Sequence, residues 1–252
     1  MKNLLKKLSF SFLLSISSLY AQESAWSYQG ELYMLAPWIE GDTSLGYHRT
    51  NFAGDSSIEN VPVDMSPKTI IDNLNSGLMA HFEAHHNSGW GAWLDYVYMD
   101  LAKDKSQITE LGMYQGIFEA FATYRVPLGN SYIDYIGGVR WWHMVMDLTI
   151  AGINKNRTFD WYDPIIGAVW INPLNKKWDL RLRGDIGGFG LASKFTSAIE
   201  VGALYHISES WEVDMHLKAL WVNYEQNSIG EYNRFVYDTV SYGPVVGITY
   251  KF

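Results

Sequence analysis

The sequence predicts an all-β protein, a single antiparallel transmembrane β-barrel of about ten strands with a short helix in the long first loop. Three observations support this prediction: strand periodicity in the closing segment, alternating short and long connections, and many aromatic residues. In Ser241–Phe252, the residues at every second position from Tyr242 are aromatic, aliphatic or proline, and those between them are mostly small or polar. A period of two indicates a β-strand whose faces meet different surroundings.

Ten segments are long enough for the roughly 9–11 residues that a tilted membrane strand needs. Several alternate clearly: Leu180, Leu182 and Ile186 share one face, opposite Arg181 and Arg183. The predicted strands are Trp26–Ile39, Gly77–Asn87, Trp90–Leu101, Glu110–Val126, Tyr132–Leu148, Asp160–Ile171, Trp178–Phe189, Thr196–Ile207, Trp211–Tyr224 and Arg234–Phe252.

Alternation alone does not distinguish a soluble β-sandwich, with an apolar core, from a barrel whose apolar face meets lipid. The connections favour the barrel, because short periplasmic turns and longer outer loops are typical of it. An even number of strands places both termini on the periplasmic side. The short turns are Asn87–Gly89, Pro127–Ser131, Pro173–Lys177 and Ser208–Ser210, and the long loops are Gly41–Ser76, Ala102–Thr109, Thr149–Phe159, Gly190–Phe195 and Glu225–Asn233.

The chain has 11 Trp, 17 Tyr and 11 Phe, as expected of a barrel whose aromatic rings settle at the membrane–water interfaces. Tyr250 and Phe252 close the last strand and predict an assembly signal. The aromatic residues near the short turns and the chain end predict one girdle, formed by Trp90, Tyr124, Tyr132, Trp170, Trp178, Tyr205, Trp211 and Tyr250.

The segment Met1–Ala21 predicts a secretory signal peptide, with three early lysines followed by the apolar run Leu8–Leu19. The barrel domain then spans Gln22–Phe252. The sequence has no cysteine, which excludes disulfides and thiolate metal sites. With 19 Lys and Arg against 27 Asp and Glu, the chain is too acidic to bind nucleic acid through a general basic patch.

Within the long first loop, Ser66 followed by Pro67 is typical of a helix start. Ile70, Ile71 and Leu74 fall on one helical face, so a helix of about two turns should pack on the outer rim or on the barrel mouth. Pro244 conflicts with an unbroken last strand, because proline lacks the N–H that a strand ladder needs. A bulge would accommodate it.

Alternation predicts that charged residues of both signs line the lumen. Unpaired charges in a narrow interior would be costly, so we expect a network of ion pairs centred on Arg140, Arg181 and Arg183. The predicted network comprises Glu83, Asp95, Glu119, Arg125, Arg140, Asp163, Arg181, Arg183, Asp185, Glu200, Asp214 and Lys218.

The sequence resembles the small porin-like (OmpA/OmpW-like) outer-membrane β-barrel proteins of Gram-negative bacteria, in a poorly characterised branch. The resemblance rests on Asp160–Gly167, Arg181–Gly190 and the closing strand with Tyr242-Gly-Pro244. It implies the fold and an outer-membrane location. It also implies contact with lipid and lipopolysaccharide, and with the barrel-assembly machinery through the last strand. The resemblance implies no particular enzymatic reaction, and it leaves the oligomeric state open.

Two groups of residues suggest a metal-binding or catalytic site. One group is His81, Glu83 and His85, which would share the lumen face and could bind zinc. However, side chains spaced along one straight strand do not easily converge on a single metal ion. Asp214 and His216 resemble the Asp–His pair of omptins, the ten-stranded outer-membrane proteases, but they follow a short turn whereas an omptin site lies at the outer rim. We therefore expect no catalytic, cofactor or metal site.

The function predicted from the sequence is a structural or surface-interaction role for a barrel with a largely side-chain-filled lumen. At ten strands the interior is only slightly wider than that of eight-stranded barrels, which side chains fill. The alternative is a narrow channel for small solutes, and an omptin-like or other outer-membrane enzyme is a third possibility.

Overall fold

The computed structural model describes residues 25–48, 54–105, 109–150 and 153–252. The predicted signal peptide lies outside these ranges. The elements are β1 (Trp26–Leu35), β2 (Trp38–His48), β3 (Asp55–Met65), α1 (Pro67–Asn73), β4 (Leu74–His86), β5 (Trp90–Lys105), β6 (Thr109–Leu128), β7 (Ser131–Ile150), β8 (Ile153–Pro173), β9 (Trp178–Gly187), β10 (Phe195–His206), β11 (Trp211–Gln226) and β12 (Phe235–Lys251).

Ten of these strands close into an antiparallel barrel, which confirms the predicted fold class. β1 pairs with β4, the strands from β4 to β12 pair in chain order, and β12 pairs with β1. Within the described ranges, no helix is long and apolar enough to cross a membrane.

The two ends of the barrel differ. At the short-turn end, neighbouring strands are joined by the tight connections 87–89, 129–130, 174–177 and 207–210. At the long-hairpin end, β6, β7 and β8 continue for 20, 20 and 21 residues, about twice the length that a membrane-spanning strand needs. These hairpins therefore project beyond the membrane, and much of the sequence predicted as loop there is strand.

The prediction that Gly41–Ser76 is a long loop is wrong, although the short helix predicted within it is present as α1. β2 and β3 form a hairpin within it, and β2 pairs with the first half of β12. β12 thus pairs with β2 through Phe235–Tyr242 and with β1 through Val245–Lys251. The sequence 55–65 contains Pro62 and three acidic residues, which obscured its strand character.

The change of partner along β12 explains how Pro244 is accommodated. Gly243 and Pro244 lie opposite the break at Ala36–Pro37, between the two pairing regions. The Pro244 carbonyl still accepts a hydrogen bond from the Ala36 N–H, at 3.1 Å. A side chain at position 243 would lie 2.3 Å from the Ala36 carbonyl oxygen, so glycine permits this close approach. Pro244 therefore falls where the ladder is already interrupted.

Helix α1 begins as predicted, but fewer of its apolar residues are buried than the sequence predicts. The Ser66 hydroxyl accepts a hydrogen bond from the Thr69 N–H at 3.2 Å, with Pro67 in the first turn. Ile70 is buried, whereas Ile71 and Leu74 are exposed, so the three do not share a buried face. The helix packs beside β5 and inserts Ile70 into the interior of the long-hairpin half.

The outer wall is apolar and carries aromatic pairs between neighbouring strands near the short turns. Trp90 packs on Tyr124 at a ring distance of 5.0 Å, and Trp178 on Tyr205 at 4.8 Å. Tyr132 is an exception to the predicted girdle. It lies on the inward phase of β7, so its side chain lines the interior. Exposed apolar residues between the girdle and the long hairpins include Leu32, Met34, Leu78, Leu94, Ile166, Ile186, Ile199, Leu217, Val246 and Ile248.

Candidate functional site

The barrel interior contains the charged side chains that alternation assigned to it. Each comes from the inward phase of its strand, so the outer wall can remain apolar. Ten of the twelve are buried, and Glu83 and Arg125 are partly buried. They are Glu83, Asp95, Glu119, Arg125, Arg140, Asp163, Arg181, Arg183, Asp185, Glu200, Asp214 and Lys218.

Arg183 and Arg140 form the centre of the network. Arg183 donates to Asp185 at 2.7 Å, to Glu119 at 2.8 Å and to Glu200 at 3.1 Å. Arg140 donates to the other Glu119 oxygen at 2.6 Å and to Asp185 at 3.0 Å. Each guanidinium thus bridges several carboxylates, as its planar array of donors allows. The pairs connect β6, β7, β9 and β10 across the lumen.

A second branch runs from this centre toward the short-turn end. Arg181 contacts Asp214 at 2.6 Å and Glu200 at 3.4 Å. Lys218 donates a further contact to Glu200 at 3.2 Å, and His216 Nδ1 lies 2.9 Å from Asp214. Glu200 therefore links the two branches. Together they fill the middle of the lumen with paired charge.

Asp163 is buried in the interior but lies outside the arginine network. Its carboxylate accepts the Ser193 N–H at 2.8 Å, the Ser193 hydroxyl at 2.7 Å and the Trp161 indole N–H at 3.2 Å. The connection between β9 and β10 is thereby tied to β8. Sequence reasoning missed Ser193, because it lies in a predicted loop and no periodicity points it inward.

The histidines of β4 do not form an open set of metal ligands. His81 Nε2 and His85 Nε2 lie 2.8 and 2.9 Å from the two oxygens of Glu83. The other His81 nitrogen lies 3.4 Å from Asp95, which also accepts from the Tyr33 hydroxyl at 2.9 Å. No group of three or more His, Asp or Glu side chains in the described ranges is placed to hold a metal ion. A metal here would have to displace these contacts.

Nearer the short-turn end, Arg125 forms a bidentate ion pair with Asp134, with hydrogen bonds of 2.8 and 2.6 Å. Its guanidinium also lies 3.8 Å from the centre of the Tyr132 ring. The Arg125 side chain is 30% exposed, in contrast to the fully buried Arg140. This pair therefore borders the opening of the lumen and does not block its middle.

An apolar layer fills the long-hairpin half above the charge network. Phe159 of β8 stacks on Phe235 of β12 with ring centres 3.6 Å apart, and Trp161 stacks on Tyr224 at 4.1 Å. The strands on opposite sides of the barrel thus meet through their inward side chains. Further buried members are Ile39, Leu45, Val63, Met65, Val97, Met99, Met113, Trp142, Met144, Met146 and Tyr237.

No known protein family and no curated protein matches the sequence. The fold is similar to that of the outer-membrane protease OmpT from Escherichia coli, with a TM-score of 0.53 and 8% identity over 90% of this chain and 97% of that one. It is also similar to the translocator domain of the autotransporter NalP from Neisseria meningitidis, with a TM-score of 0.46 and 10% identity over 98% and 96% of the two chains. Ail from Yersinia pestis matches with a TM-score of 0.37 and 9% identity over 90% and 98%. These neighbours are outer-membrane β-barrels with different roles, so the likeness extends to the fold alone.

Proposed function

We propose that this small outer-membrane β-barrel protein keeps a closed lumen and has a structural or surface-interaction role, through the long hairpins that it presents outside the cell. The observation that carries the proposal is the charge network across the middle of the barrel. Arg140 and Arg183 are almost completely buried, and each is held by one carboxylate from an adjacent strand and one from a strand further round the barrel. A solute would have to break several charge-assisted hydrogen bonds to pass.

The apolar layer supports the same proposal independently. It lies between the charge network and the long-hairpin end, and it joins strands from opposite sides of the barrel. Such a layer hinders the passage of water and ions, because most of its packed side chains offer them no polar contact. Ions would therefore meet two successive barriers of different chemistry.

Single-channel recording of the refolded protein in planar bilayers tests this proposal. We expect no discrete conductance steps over the voltage range in which a general porin, refolded in the same way, conducts. Reproducible openings of the wild-type protein would contradict the closed lumen and favour the alternative of a narrow solute channel.

A non-enzymatic role is part of the proposal. Asp214 and His216 contact each other, but Asp214 is also bound by Arg181, and both side chains are buried below the central network. A peptide substrate arriving at the long hairpins would not reach them. The pair is therefore better explained as part of the branch that fills the lumen.

The orientation of the barrel leads to a prediction about exposure on cells. We propose that both termini and the short turns face the periplasm. A protease site inserted at Ile229, in the exposed connection between β11 and β12, should be cut in intact cells. The same site inserted at Asn175, in the turn between β8 and β9, should be cut only after the outer membrane is permeabilised. The reverse pattern would invert the topology.

The last strand is proposed to engage the barrel-assembly machinery, while the apolar wall contacts lipid and lipopolysaccharide. The Phe252 N–H donates to the Tyr28 carbonyl at 2.9 Å, and its ring packs edge-on against Tyr250 at 5.0 Å. Phe252→Ser should therefore reduce the amount of heat-modifiable barrel in outer-membrane fractions. A Leu191→Ser change in an exposed outer connection is the control and should have little effect. Equal barrel levels for Phe252→Ser and wild type would refute the assignment.

A further inference from the structure

A polar cavity of about 60 Å³ opens near the short-turn end, below the central charge network. A single water needs roughly 10–15 Å³ on this measure, so the space holds several waters or a small ligand group. Its lining includes Gln29, Glu31, Glu83, Arg181, Glu212 and Asp214.

The cavity has more acids than bases. Six carboxylates and three permanently charged cations line it. All three cations are bound to other carboxylates: Arg125 to Asp134, Arg181 to Asp214 and Lys251 to Glu212. After these three pairs, Glu31, Glu83 and Asp179 are the lining carboxylates that no arginine or lysine binds among the described residues.

Glu31 is the carboxylate without a partner. It is only 9% exposed and lies on the inward phase of β1, lining the cavity. Among the described residues, it makes no hydrogen bond or ion pair, whereas Glu83 and Asp179 have histidine partners. A largely buried carboxylate without a protein partner takes its hydrogen bonds from whatever fills the cavity, either water or an external cationic group.

Gly247 creates the space that the Glu31 carboxylate occupies. A Cβ atom added at position 247 would lie 1.9 Å from Glu31 Oε1. The neighbouring strands thus hold the carboxylate close to the β12 backbone. The site is consequently built into the wall and does not arise from a mobile surface side chain.

We propose that this cavity binds a primary ammonium group on an alkyl stem, with Glu31 as its counter-ion. An ammonium group donates three hydrogen bonds and carries the charge that the cavity lacks. A metal ion fits less well, because no group of three or more His, Asp or Glu side chains in the described ranges is placed to hold one. Such a ligand would enter from the short-turn end, the side we propose to be periplasmic.

Thermal unfolding of the refolded protein in detergent, titrated with putrescine at constant ionic strength, tests this inference. We expect a saturable rise in the unfolding temperature that sodium chloride and tetramethylammonium do not produce, because neither offers N–H donors. Glu31→Gln should weaken putrescine binding at least tenfold. Glu40→Gln, which removes an exposed carboxylate from β2 outside the lumen, should leave binding unchanged.

Gly247→Ala provides a second variant. The added methyl group displaces the Glu31 carboxylate, and Glu31 keeps its charge. It should also weaken putrescine binding at least tenfold. The inference is overturned if putrescine raises the unfolding temperature no more than sodium chloride, or if both variants bind as the wild type does. It is equally overturned if magnesium produces the larger, Glu31-dependent rise, since that result would identify a metal site.

Discussion

Replacing Arg183 with leucine should lower the free energy of unfolding by about 3–5 kcal/mol, the usual cost of removing one partner from a buried ion pair. The variant leaves Glu119, Asp185 and Glu200 each without one of its buried cationic contacts. Arg140 and Lys218 still bind some of these carboxylates but cannot replace all of the lost hydrogen bonds. Urea unfolding of the refolded protein in lipid vesicles, followed by tryptophan fluorescence, measures the effect.

Two further variants identify the cause of this loss. Arg125→Leu also removes an arginine from an ion pair, but at a partly exposed site, so its effect should be much smaller. Arg183→Lys keeps the charge and loses the planar array of donors, and it should lie between wild type and Arg183→Leu. Equal losses in Arg125→Leu and Arg183→Leu would mean that the central charges are solvated independently, as in a hydrated pore.

Much of the barrel could be predicted from the sequence, because the alternation of outward and inward residues can be read within each strand. Lipid outside and paired charge inside impose a period of two on each strand, and residues such as Arg181 and Arg183 therefore have a defined face. Two-residue spacing also places Arg183 and Asp185 on the same side of β9. The pairing between strands follows from closure, which brings Glu119 and Glu200 toward the same arginine.

The features that could not be predicted depend on contacts between distant segments. The hairpin of β2 and β3 is polar and contains Pro62, so its strand character comes from pairing with β12 and not from its own composition. The burial of Asp163 depends on Ser193, thirty residues away in a short connection. Alternation also assigns an inward face without saying whether it will be polar or apolar along the whole strand. For that reason the apolar layer of the long-hairpin half was not foreseen.

Replacing Trp142 with alanine should destabilise that apolar layer by about 3–5 kcal/mol, the usual cost of removing a large buried aromatic side chain. Trp142 is 1% exposed, stacks on Trp161 at 5.3 Å and meets the Tyr237 ring at 6.4 Å. Its removal leaves a cavity between strands from opposite sides of the barrel. Hydrogen exchange should accelerate in the long-hairpin parts of β7, β8 and β12, while the membrane-spanning parts keep their protection.

The adjacent Trp141 is the matched control. It points outward and stacks on Tyr162 at 6.0 Å, so Trp141→Ala removes the same side chain from the opposite face of the same strand. We expect little change in exchange from that variant. Trp142→Ala should also remain non-conducting, because the network around Arg140 and Arg183 still closes the lumen below it. Ion conduction by Trp142→Ala would show that the apolar layer is the sole barrier, and the charge network would then be a hydrated lining and not a seal.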